Sequence, residues 1–228
     1  MRSSAIAHPG PTSNIVQYWI GRLWFTVFGW KTVGEPPQHT HGVIIAAPHT
    51  SNWDLPHMLA AAWIFRMRIS WMGKQSLFRF PFGIFLRSLG GMEVDRRAAH
   101  GVVREVARSF ERYDTLFLAV PPSGTRGYKN KWKSGFYWIS KQAEVPVIAG
   151  YLNYKRKEAC LGFSFVPTGD VLADMDKIRG FYEVIEGKYP KDQNTIVLKE
   201  ELRLTNKAGE EAARAEASTA GAEKVEQT

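Results

Sequence analysis

The 228-residue sequence predicts an α/β fold, a sandwich built on a largely parallel mixed sheet flanked by helices. Three observations lead there. Apolar runs such as Val43–Ala47 and Thr115–Val120 are short and unbroken, as in strands buried on both faces. Segments with helical spacing lie between such runs, the alternation of βα units. A composition of 44% hydrophobic and 23% charged residues suits one domain with a full core.

Residues 1–13, rich in Ser, Pro and Gly, read as a loose leader with no secretory signal. Ile15–Trp30 is apolar but interrupted by Gln17 and Arg22, and no run of 18 apolar residues occurs anywhere. As a helix it puts Trp19, Leu23 and Val27 on one stripe, fit either to lie in a membrane interface or to pack on the protein's own core. Gly34-Glu35-Pro36-Pro37 closes this first region, 1–36. In the body, 37–204, Val43–Ala47 is a strand that stops at Pro48, and a helix follows from about Leu55 to Phe65. Arg68–Met72 is a second strand. Leu77–Leu89 is split into two short pieces by Pro81 and Gly83. Ala98–Tyr113 alternates Val102, Val106 and Phe110 with charge, so it reads as helix. Thr115–Val120 is a strand stopped by Pro121-Pro122, Gly135–Ala143 a helix, Val145–Tyr151 and Gly162–Val166 strands, and Ala173–Gly187 an amphipathic helix. The tail, 205–228, lacks core-forming residues and is expected to be disordered.

The net charge is +8; with the tail at −2, the rest of the chain carries +10. A body this basic wants an anionic partner: nucleic acid, a phospholipid surface or a phosphorylated small molecule. The eight Trp beside Arg and Lys fit a membrane–water interface, though single-strand grooves use the same mix. A single cysteine, Cys160, excludes an intrachain disulfide and any multi-thiolate metal cluster.

Three loops expected at strand ends carry the chemistry. The first is Pro48-His49-Thr50-Ser51-Asn52-Trp53-Asp54. Asp54 can accept from Nδ1–H of His49 and leave Nε2 as a proton acceptor. The nucleophile elbow Gly-x-Ser-x-Gly is absent, so the pair suits a base that deprotonates a substrate hydroxyl; a structurally capped histidine is the plainer alternative. The second loop, Gly90–Arg97, and the third, Pro121–Arg126, each pair glycine with arginine, a combination that lets backbone approach an oxyanion and a guanidinium grip it. His57 completes a conceivable His49–Asp54–His57 metal set. Lys74 follows a strand at the same end, and the basic Gly127–Lys133 segment follows the third loop.

These segments resemble the glycerolipid acyltransferases, the superfamily of 1-acylglycerol-3-phosphate acyltransferase and other lysophospholipid acyltransferases. Pro48–Asp54 is similar to the family's His-x4-Asp motif, Gly91–Arg96 to its second, Pro122-Ser123-Gly124-Thr125-Arg126 to its third and Val145-Pro146-Val147 to its fourth. The likeness runs in order over about residues 40–190, spaced as in small bacterial members, and makes 37–204 an acyltransferase domain. It implies that His49 is a general base held by Asp54, acting on a lysophospholipid or glycerol-phosphate hydroxyl without an acyl-enzyme. Arg96 and Arg126 would bind the acceptor phosphate, Gly124 and Thr125 would shape that pocket, and Val145-Pro146-Val147 would help shape the acyl pocket. Lys74, by its place after a strand rather than by the resemblance, is a candidate contact for phosphate or the donor, with a solvated lysine as the alternative. The donor would be acyl-coenzyme A or acyl carrier protein, with no metal and no further cofactor. The expected setting is the inner face of an anionic membrane, reached peripherally from the cytoplasm.

One residue departs from the pattern. Ser123 stands where the family has Glu, and a hydroxyl brings no charge to orient an arginine. The alternatives are therefore a non-catalytic or altered-acceptor lipid binder of the same fold. A nucleic-acid binder, the remaining class, has no recognition motif here.

Overall fold

The computed structural model describes residues 13–94, 99–207 and 209–211. The expected leader, apart from Ser13, and the tail from 212 onward lie outside the described residues; residues 199–207 and 209–211 are helical, so helix runs past the expected boundary at 204.

Seven strands form one sheet in the order β1-β7-β6-β2-β5-β3-β4. They are β1 (Lys31–Val33), β2 (His41–Ala46), β3 (Ile69–Lys74), β4 (Gly91–Val94), β5 (Leu116–Val120), β6 (Val147–Asn153) and β7 (Glu158–Phe165). All pairings are parallel except β6 with β7, an antiparallel hairpin, so the sheet is mixed but largely parallel as expected. Two short strands differ from the expectation. Lys31–Val33 pairs on the edge beside β7, and Gly91–Val94, read as loop, pairs with β3 on the opposite edge.

The unbroken apolar runs follow from burial on both faces, with alternate residues serving different cores. Val43, Ile45, Leu116, Leu118, Val147 and Ala149 face a core shared with Phe136 and Ile139 of α5 (Gly135–Ala143), Val106 of α4 (Ala99–Ser109) and Ile178 of α6 (Val171–Tyr182). Ile44, Phe117, Ala119 and Ile148 face the other way, toward Leu59 and Ala62 of α2 (Asp54–Ile64) and Phe78 of a short 3-10 turn (Gln75–Phe78). The Leu77–Leu89 segment is divided, as expected, into two short pieces, that turn and α3 (Phe82–Ser88); the break falls at Pro81, which caps α3, while Gly83 lies inside the helix.

Helix α1 (Ile15–Phe28) opens with a capping box: Asn14 Oδ1 accepts from the Gln17 amide at 2.9 Å and Gln17 Oε1 accepts from the Asn14 amide at 3.0 Å. It packs on α2, with Phe25, Trp24 and Phe28 in a third cluster with Ala60, Ala61 and Leu152. Trp19, Leu23 and Val27, one stripe in the sequence, are all more than 60% exposed. Among the described residues no helix is long and apolar enough to cross a membrane.

Candidate active site

The loop between β2 and α2 is organised around one carboxylate. Asp54 opens α2, where the helix dipole favours an anion, and it is buried. Its Oδ2 accepts from the Thr50 and Ser51 amides, each at 3.0 Å, and from His49 Nδ1 at 2.9 Å. Its Oδ1 accepts from the Tyr154 hydroxyl at 2.7 Å. Four donors converge on this one carboxylate, and a carboxylate that only accepts calls for the imidazole proton on Nδ1. Nε2 is left with its lone pair, unengaged by any hydrogen bond among the described residues.

His49 lines a cavity of about 690 Å³, within the size range of ligand sites. Asp54, Gly124, Thr125, Arg126 and Lys74 line the same cavity. Its apolar length runs between α2 and the sheet, past Leu55, Met58 and Phe65 to Leu152, Cys160 and Leu161. A base, cations and an apolar channel therefore share one space. At the β5 end, Gly124 sits at φ +63°, a left-handed conformation that favours glycine, and its amide donates to the Pro121 carbonyl at 3.0 Å. This turn carries Thr125 and Arg126 into the cavity lining.

A family model described as acyltransferase matches residues 31–152, more than half of the chain. The chain belongs to this acyltransferase family. All four segments that resemble the glycerolipid acyltransferases fall inside the matched span. Such a family brings two substrates to one site, an acyl donor and an acceptor. Among solved structures, the 1-acyl-sn-glycerophosphate (LPA) acyltransferase PlsC from Thermotoga maritima is similar, at 18% identity and a TM-score of 0.47 over 74% of each chain. No curated protein matches the chain.

Within the acyltransferase, the remaining expected residues fall in different places. Arg96, with Asp95, lies outside the described residues. Ser123 is buried and absent from the large cavity lining; its Oγ donates to the Thr125 carbonyl at 2.7 Å, an internal bond of the turn. It borders instead a void of about 30 Å³ behind His49, shared with Trp132, Tyr182 and Gln193. The placement of Val145, Pro146 and Val147 at the acyl pocket needs correction: none lines the cavity. Val145 and Val147 point into the core beneath α4, α5 and α6, on the far face of the sheet. The apolar lining comes from α2 and from β3, β6 and β7 instead.

Tyr154 is the residue that sequence reasoning missed. It sits after β6, its amide donates to the Glu186 carbonyl at 2.9 Å, and its hydroxyl reaches a carboxylate one hundred positions earlier. Burial and the negative charge of Asp54 push the phenol well above its ordinary value, so it stays a donor. Replacing Tyr154 with Phe keeps the ring but removes a bond to Asp54. We expect kcat to fall roughly tenfold with KM unchanged; steady-state kinetics showing a change in KM alone would assign Tyr154 to substrate binding instead.

His57 is not arranged as a ligand of His49 and Asp54. It is buried in an aromatic box, stacked on Trp30 at 4.3 Å between ring centroids, and its Nδ1 accepts from Trp24 Nε1 at 3.0 Å. Among the described residues no group of three or more His, Cys, Asp or Glu is placed to hold a metal ion. Burial lowers its pKa from 6.5 to about 4, against the opposing pull of the Asp54 charge. Between those values the unfolded chain binds more protons than the folded one, so stability rises with pH. The contribution is complete above about pH 6.5 and is lost as pH falls toward 4; the shift corresponds to about 3 kcal/mol. His57→Asn supplies an acceptor that does not titrate in this range. Denaturant unfolding at pH 4.5 and 7.5 should show a flatter dependence for that variant; equal slopes would locate the acid sensitivity elsewhere.

Proposed function

We propose that this acyltransferase moves a fatty acyl group from an acyl thioester to the hydroxyl of a lysophospholipid or glycerol-phosphate-type acceptor, with lysophosphatidic acid as the leading candidate. The reading is carried by the His49–Asp54 pair, 2.9 Å apart, at the cationic end of an apolar cavity. His49 Nε2 takes the acceptor's hydroxyl proton as the oxygen attacks the thioester carbonyl. Asp54 stabilises the imidazolium that forms and keeps the ring oriented. Collapse of the tetrahedral intermediate breaks the carbon–sulfur bond, and the imidazolium returns its proton to the departing sulfur. The products are an ester and a free thiol. No protein nucleophile becomes acylated, in keeping with the missing elbow motif.

The apolar channel between α2 and the sheet takes the acyl chain, and Arg126 grips the acceptor phosphate, joined by Arg96 as the motif resemblance implies. Lys74, exposed and on the cavity lining, suits the donor's anionic part, whether coenzyme A or acyl carrier protein. No further cofactor is required. The exposed stripe of α1 and the basic body support a peripheral position on the cytoplasmic side of an anionic membrane. Asp54, held by four donors with His49 among them, favours catalysis over a purely lipid-binding role despite Ser123.

The test is thiol release from acyl-coenzyme A with a panel of lysolipid acceptors, read by product mass. Absence of an ester product with every acceptor would overturn the proposal. Arg126→Ala should raise KM roughly ten- to hundredfold for phosphate-bearing acceptors, the loss of one charged contact. An equal loss with a phosphate-free acceptor would remove Arg126 from that role.

A further inference from the structure

A second apolar surface lies apart from α1, on the segment joining β3 to β4. Phe80 is 87% exposed, Phe82 71%, Ile84 68% and Phe85 62%. Packing forces this display. Gly83 is pressed against the 3-10 turn so closely that a β-carbon there would meet the Phe78 carbonyl oxygen at 1.9 Å. Gly83 and Phe78 are buried in that contact and Leu86 is partly buried beside it, so the inner side of the segment is already filled. The other large side chains are left facing out.

We infer that this surface is a docking site for an anionic lipid monolayer, placed so that the bilayer meets the mouth of the cavity. Charge supplies the first argument. Residues 55–92 contain no Asp or Glu but five cations, Arg66, Arg68, Lys74, Arg79 and Arg87. Lys74 and Arg79 are exposed and make no ion pair among the described residues. Arg87 pairs with Glu93, but bulky apolar side chains beside the exposed Lys74 and Arg79 match an acyl interior bounded by anionic headgroups. Position supplies the second. Lys74, Ser76 and Leu77, exposed residues at the start of this segment, also line the large cavity. A monolayer seated on Phe80–Phe85 lies next to that opening, so an acyl chain reaches the channel from lipid without crossing open water. The surface deepens the proposed lipid acyl transfer and rests on it only for this passage.

Vesicle binding is read without turnover, so the docking surface and the catalytic reading fail separately. Full-length protein is mixed with phosphatidylcholine vesicles with and without phosphatidylglycerol. Phe80→Ser/Phe85→Ser should weaken binding to the anionic vesicles by roughly tenfold or more, and Arg79→Glu by roughly fivefold or more. Both variants should retain the wild-type melting profile and turnover of short-chain water-soluble substrates. An environment-sensitive fluorophore on Phe82→Cys, in a Cys160→Ser background, should shift to the blue with anionic vesicles. Wild-type vesicle affinity in the double Phe variant, or a label indifferent to lipid, overturns the inference. A label that responds to protein concentration rather than to vesicles overturns it as well, in favour of a second copy of the chain.

Discussion

His49→Ala should lower kcat for acyl transfer by ~10²–10⁴-fold, the usual contribution of a positioned general base. The fold should not notice. The His49 side chain is 24% exposed and lines a cavity, so its loss leaves no sealed void. Asp54 keeps its bonds from Thr50, Ser51 and Tyr154. The effect should therefore appear in kcat with an unchanged melting temperature, measured by thiol release and by calorimetry on the same preparation. A variant that matches wild type in turnover would show that the proton leaves by another route, and the proposed mechanism would fall with it.

Asp54→Asn should cost more and in two ways at once. The carboxylate is surrounded by donors only: two backbone amides, the imidazole and a phenol. An amide must turn its NH2 toward some of them. Facing Tyr154 or the backbone, it sets donor against donor in a buried place, which costs about 1–3 kcal/mol of stability. Facing His49, it donates to Nδ1 and forces the ring proton onto Nε2, the atom that has to accept. We expect kcat to fall by ~10³–10⁴, as in other His–carboxylate pairs whose tautomer is reversed, together with a lower melting temperature. The contrast between the two variants is diagnostic: activity alone for His49→Ala, activity and stability together for Asp54→Asn. Equal melting temperatures would mean that the carboxylate is not held by the donors described.

The central sheet was legible in the sequence because β2, β5 and β6 are covered on both faces, and such strands advertise themselves as unbroken apolar runs. Strands β1 and β4 did not. Each is three or four residues on an edge, and Lys31 and Glu93 carry charges that read as loop. The His49–Asp54 pair was legible because five residues and one turn decide it. The apolar channel was not, since it depends on the height at which α2 rides above the sheet. Val145–Val147 shows why: a run buried on both sides carries no mark of which face meets a cavity, and this one faces the opposite core. Tyr154 reaches Asp54 across one hundred positions, and no local pattern encodes that pairing.

The segment matched by the family begins at residue 31. Trp24, Phe28 and Trp30 come before it, yet their rings enclose His57 and brace Tyr154, which in turn holds Asp54. A shortened protein starting at the family boundary would thus retain every motif residue while losing the wall that steadies Asp54. Anything that levers the first helix away from the second is felt at Asp54 through two aromatic side chains, Trp30 and Tyr154, which under the proposed mechanism would make that helix a handle on turnover.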